Sequence, residues 1–128
     1  MDQEDLAESE FETLRQTLAT FAAERGWEKF HNPRNLLLAL NGEIGELSEL
    51  LQWVPDNEVD QWILEPSNRS AVQDEIGDIL IYLVYLAGKL QIDVLKAATS
   101  KIEKNALRYT IEAAYGHAEK VDKTTIED

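Results

Sequence analysis

The chain reads as an all-α protein, a four-helix bundle, and three observations point there. Apolar residues recur at steps of three and four through four long segments. No segment carries a competing period-two strand signal. The breaks between segments hold proline, glycine or a capping side chain. The 128 residues fit a single domain, 1–128, with a helical core over residues 6–114 and a polar C-terminal tail over residues 115–128.

The first helix is expected over residues 6–24, where Leu14, Leu18 and Phe21 share a stripe and Gly26 follows the end. A connector, residues 27–33, holds Trp27, Phe30 and His31. The second helix follows Pro33 and runs to about Trp53, before Pro55, Asp56 and Asn57 break it. A loop over residues 55–68 has room for one short turn around Trp62, and Pro66-Ser67-Asn68 suits a cap for a third helix over residues 69–90. Asp93 suits the cap of a fourth, residues 94–114, ended by Gly116.

On the second helix, Leu37, Leu40, Ile44, Leu47, Leu51 and Val54 form a seam toward a bundle core. The third helix differs. Ile76, Leu80, Leu83 and Ala87 make one stripe, while Ile81, Tyr82, Val84, Tyr85 and Leu86 clothe much of the rest. A helix apolar nearly all round has to be covered nearly all round, and one small core cannot do it. Packing against a second copy of the chain is therefore expected, with cover from the first helix or the long loop as the alternative.

Composition excludes several functions. Twelve Lys plus Arg against 25 Asp plus Glu gives a net charge of −13, which repels a nucleic-acid backbone. Cysteine is absent, which removes disulfides, thiolate metal sites and a cysteine nucleophile. The acidic start, Met1-Asp2-Gln3-Glu4-Asp5, has no apolar leader, and the apolar run over residues 76–90 is interrupted by Asp78 and too short for a bilayer. A cytoplasmic protein without a membrane partner is expected. There is no G-x-x-x-x-G-K-[ST] loop and no evident Ser/His/Asp arrangement, so an activated water is the simplest attacking group.

The most informative feature is an internal echo. Gly42-Glu43-Ile44-Gly45-Glu46-Leu47 lies on the second helix and Asp74-Glu75-Ile76-Gly77-Asp78-Ile79 on the third. Each carries two carboxylates three apart, on one side of its helix, with a glycine before the second. At 100° per residue, Glu43 lies roughly 70–80° from its seam's centre, and Glu75 holds the same place beside the Ile76-Leu80-Leu83 stripe. Facing seams would bring both pairs out at one edge, where four like charges need a divalent ion. Oxygen ligands without His or Cys favour Mg²⁺, with Mn²⁺ as a substitute, and Mg²⁺ keeps positions open for phosphate. Gly45 and Gly77 each cost about 1 kcal/mol relative to Ala in a helix, which points to a close approach at the backbone. Paired acids also decorate solvated helix faces, as Glu49 does here. Two pairs flanked by core residues are far less common by chance. A ferritin-like di-iron site needs two Glu-x-x-His strings; Glu28-Lys29-Phe30-His31 stands alone.

The fourth helix is basic against an acidic whole, with Lys96, Lys101, Lys104 and Arg108 opposed only by Glu103. Lys101 and Asn105 share a face suited to phosphate oxygens, although cations near a helix C-terminus also offset its dipole. Trp27, Trp53 and Tyr82 stand near the carboxylate pairs, where aromatic faces suit a stacked nucleobase; capping of the bundle ends is the plainer role, and it is preferred for Trp62. His31 is a minor candidate for substrate contact.

These residues carry a resemblance. Glu43-x-x-Glu46 followed by Glu75-x-x-Asp78 on successive helices resembles the MazG-like all-α nucleoside triphosphate pyrophosphohydrolases. Phe21-Ala-Ala-Glu-Arg-Gly-Trp27-Glu-Lys-Phe-His31-x-Pro33-Arg34-Asn35 is similar to the dCTP pyrophosphatase branch. The resemblance implies cleavage between the α- and β-phosphates, with Mg²⁺ held by Glu43, Glu46, Glu75 and Asp78. It implies phosphate or sugar contact from Lys101 and Asn105, and a base held near Trp27, Trp53 and Tyr82. It further implies a tetramer built as a dimer of dimers, and clearance of unwanted nucleotides, with dCTP or a modified deoxynucleotide as substrate. A dUTPase-like or phosphoribosyl-ATP pyrophosphohydrolase shares the motif core. A non-catalytic acidic bundle that binds a partner is the reading from another class.

Overall fold

The computed structural model describes residues 2–120, so Met1 and the last eight residues of the expected polar tail lie outside the described residues. Helix α1 spans Gln3–Glu24, capped by the Asp2 side chain, which accepts from the Asp5 amide at 2.9 Å. It begins earlier than the apolar stripe indicates, because the cap and the acidic first turn, rather than apolar residues, hold its start. Gly26 at φ +64° ends it, with the Trp27 amide bonded back to the Ala22 carbonyl at 3.0 Å. That reversal needs a left-handed residue.

A single 3₁₀ turn, Glu28–Phe30, leads to α2, Pro33–Leu51. Asn32 caps it, Pro33 occupies its first turn, and Asn35 donates its side-chain amide to the Phe30 carbonyl at 3.1 Å. Past the 3₁₀ turn Asp56–Glu58 comes the short α3, Val59–Trp62, and then α4, Pro66–Lys89. Pro66 sits inside the first turn of α4 rather than before it, and Asn68 does not cap the helix. Its amide donates to the Trp62 carbonyl at 3.0 Å and ties α3 to α4.

Helix α5, Val94–Arg108, is capped by Asp93, which accepts from the Lys96 amide at 3.0 Å. It stops at Tyr109, short of residue 114, because Thr110 begins a new capped turn, α6, Ile111–Ala114. The chain is all-helical, and among the described residues there is no strand. It divides into two compact units, one ending at Ile92 and one beginning at Asp93. No helix among the described residues is long and apolar enough to cross a membrane.

In the first unit α2 packs chiefly on α4, and α1 packs on α4 to a lesser extent. Leu18 and Ala22 of α1, Leu36 and Leu40 of α2, and Val84 and Ala87 of α4 form the core. The expected seams hold only in part: Leu40 and Ala87 are buried and Leu47, Leu51 and Val54 half-buried, while the other members face outward. Leu36 is 2% exposed while its neighbour Leu37 is 48% exposed, and Ile44, Ile76, Leu80 and Leu83 are exposed as well. Protected positions on α2 step through Leu36, Leu40, Glu43 and Leu47, and on α4 through Val72, Glu75, Ile79, Tyr82 and Leu86. Each step of one residue rotates a helix face by 100°. The small turn therefore carries Glu43 and Glu75 into the helix contact, and leaves the most apolar stripe outside.

Candidate active site

Glu43 and Glu75 stand half-buried on the two helices that pack most closely, and Asp78 follows Glu75 by one turn. One carboxylate oxygen from each of Glu43, Glu75 and Asp78 lies within 4.8 Å of the others. Oε2 of Glu43 and Oε2 of Glu75 are buried with no hydrogen-bond partner. A buried acceptor without a donor is costly, and two side by side are costlier when both are anionic.

Protonation reflects that cost. Burial first, then hydrogen bonding with Glu46 and Glu75 and the charges of Glu46 and Asp78, push the Glu43 carboxyl up to about 7. For Glu75 the hydrogen bond with Glu43 pulls downward, yet burial and the Glu46 and Asp78 neighbours leave it raised. Without a cation the cluster keeps a proton near neutrality. The donor set fits a hard divalent ion: all oxygen, close together, two atoms buried and unsatisfied. Glu46 is exposed and supplies no atom to the three-residue group, but it stands close enough to act on both Glu43 and Glu75. Gly45 and Gly77 have nothing within 4 Å of where a Cβ would be, so among the described residues nothing makes the close approach that their placement suggests.

Asp78 also belongs to a second feature. Together with Leu18 and Phe21 of α1, Trp27 and His31 of the connector, and Ile81, Tyr82 and Tyr85 of α4, it lines a cavity of about 400 Å³. Phe21 and Trp27 meet edge to face, centroids 5.7 Å apart at 70°. His31 lies against Tyr85 at 4.5 Å. Burial, helped by the Lys89 charge, lowers the His31 pKa and keeps its imidazole neutral at neutral pH. The Tyr85 hydroxyl donates to the Leu18 carbonyl at 2.7 Å and so pins α4 to α1.

The structure thus brings Glu43, Glu75 and Asp78 together, sets Glu46 beside them, and gathers Trp27, His31 and Tyr82 at the adjoining cavity. Trp53 stands apart from that cavity, 86% exposed beyond the end of α2. Lys101 and Asn105 lie on α5 in the second unit, the lysine exposed and the asparagine half-buried. Phe21 and Tyr85 were not among the expected site residues. The available signal for Tyr85 was a hydroxyl in an otherwise apolar stretch, since a buried tyrosine seeks an acceptor.

A family model described as the MazG-like family matches residues 38–123. The chain is 49% identical over 112 residues to dCTP pyrophosphatase 1 of Bos taurus, covering 88% of this chain and 66% of that protein. With dCTP pyrophosphatase 1 of Homo sapiens it shares 48% identity over 113 residues, again 88% of this chain and 66% of the other. The chain thus spans just under two thirds of the length of these curated relatives. A crystal structure of a pyrophosphatase from Archaeoglobus fulgidus superposes with a TM-score of 0.73 at 36% identity, covering 79% of this chain and 93% of that one.

Proposed function

The chain belongs to the MazG-like family, and from that premise we propose that it hydrolyses a deoxynucleoside triphosphate to the monophosphate and pyrophosphate. dCTP or a modified pyrimidine relative is the proposed substrate, and removal of unwanted nucleotides the role. The observation that carries this reading is the double membership of Asp78, in the carboxylate cluster and in the aromatic cavity. A nucleotide has the same two-part chemistry, with charged phosphates joined to a flat apolar ring.

Glu43, Glu46, Glu75 and Asp78 would hold Mg²⁺, with Mn²⁺ as a substitute. When bound there, Mg²⁺ supplies positive charge that neutralises the phosphate oxygens and the crowded carboxylates. A carboxylate of the same set takes a proton from water as its oxygen attacks the α-phosphorus. The bond from that phosphorus to the α–β bridging oxygen breaks, and pyrophosphate leaves. Trp27 and Tyr82 hold the base by stacking, and neutral His31 offers a hydrogen bond without a competing charge. Lys101 and Asn105 remain candidates for phosphate or sugar contact. Trp53, exposed in a single chain, would join the base pocket only where another chain covers it.

The exposed stripe of Leu37 and Ile44 on α2 with Ile76, Leu80 and Leu83 on α4 supports assembly, proposed as a tetramer of two dimers. Incubation with Mg²⁺ and a nucleotide panel tests the activity. Release of monophosphate plus pyrophosphate is expected; diphosphate plus phosphate, or no product from any nucleotide, would refute it.

A further inference from the structure

We propose that the stacked pair His31–Tyr85 is the end wall of the base cavity, and that Tyr85 thereby sets the largest base the enzyme accepts. The inference rests on the reading that this cavity holds the base. A second cavity, about 240 Å³, is lined by Arg15, Glu28, Val84, Gly88 and Lys89, and also by His31 and Tyr85. The first cavity is lined by the same two residues from its own side. The pair is therefore a partition, with aromatic walls and Asp78 on one side and, on the other, a mostly apolar chamber that also holds Arg15, Glu28 and Lys89.

Two contacts hold the partition in place. The rings of His31 and Tyr85 lie 4.5 Å apart, and the Tyr85 hydroxyl is anchored on the Leu18 carbonyl, 67 residues away in sequence. An anchored ring cannot swing aside for a larger ligand without giving up that hydrogen bond. Removing the ring joins the two chambers, and the added depth leads toward Arg15 and Lys89. A purine, or a cytosine bearing a bulky 5-substituent, would then find room that the intact wall denies.

The test compares kcat/KM for pyrophosphate release from dCTP, from a bulky 5-substituted dCTP and from dATP, with Mg²⁺, in wild type, Tyr85→Ala and Tyr85→Leu. The ratio of bulky to small substrate is expected to rise about tenfold in Tyr85→Ala, the scale set by steric discrimination in apolar pockets. Tyr85→Leu should move it in the same direction, and it keeps apolar bulk against α1 if the alanine variant does not fold. Tyr85→Phe keeps the ring but frees it from the Leu18 carbonyl; the ratio should rise by less than in Tyr85→Ala, because the unanchored ring can yield to a larger base. A wild-type ratio in folded Tyr85→Ala or Tyr85→Leu, beside normal wild-type turnover, overturns the wall alone. A wild-type chain that releases no pyrophosphate from any nucleotide overturns the underlying function and the wall with it.

Discussion

The carboxylate cluster and the aromatic cavity share Asp78 but are built on opposite principles. The cluster collects like charges inside a helix contact, leaves two oxygens unsatisfied and pushes Glu43 to about 7. It opposes the fold while its charges are unbalanced, and the proposed cation would relieve that opposition. The cavity collects apolar and aromatic side chains and satisfies the Tyr85 hydroxyl, so it helps hold α1 on α4. One region is strained by its own charges and the other is internally satisfied. A substitution should reveal which kind of region it touches by whether activity and stability move together.

The largest effect is expected where tension is greatest. Asp78→Asn or Glu46→Gln should lower turnover by roughly 10²–10³-fold or more, the scale for removing a charge-stabilising group, while the cation-free fold keeps or gains thermal stability. Near-normal turnover measured in either variant would mean that the cluster is not the metal site. The reverse pattern is expected beneath both regions. Leu36→Ala in the α2–α4 core should cost about 2–5 kcal/mol in denaturant unfolding, with kcat unchanged in the molecules that remain folded.

Smaller effects separate the two sides more finely. Trp27→Ala should raise KM by an amount corresponding to about 1–3 kcal/mol of lost stacking, with little change in kcat. A fall in kcat alone would move Trp27 from the base to the chemistry. The smallest signal is in pH. Glu43 has a folded pKa raised above its ordinary 4.5 to about 7, so its contribution to stability is present below the ordinary value and lost as pH rises through 7. The thermal midpoint of the cation-free protein should therefore fall between about pH 4.5 and about pH 7 and level off above that, and Mg²⁺ should restore more of it at the higher pH. Glu43→Gln should flatten that profile; an unchanged profile would assign the titration elsewhere.

Legibility in the sequence followed the range of the interactions. The helices announced themselves through local spacing, and their breaks through Gly26, Pro55 and the Asp93 cap. The Glu43/Glu46 and Glu75/Asp78 pairs were visible because each is a three-residue spacing on one helix. The inward face was harder. Leu36 and Leu37 are equally apolar, and only the docking of α4 decided which of them is buried. Start positions slipped where something other than an apolar stripe fixed the end: the Asp2 cap at α1, and Pro66 in the first turn of α4. Tyr85 is not legible as a site residue because its partner carbonyl and stacked ring come from Leu18 and His31, far away along the chain.

By itself the sequence determined the all-helical class, the acidic character and the two carboxylate pairs, since periodicity, composition and spacing are properties of neighbours along the chain. Tertiary structure alone decided that Glu43 and Glu75 lie within the helix contact rather than at its edge, and that α1 and α4 enclose an aromatic cavity against Asp78. Rotation of a helix about its axis costs nothing locally. It is fixed only when another surface arrives to be packed against.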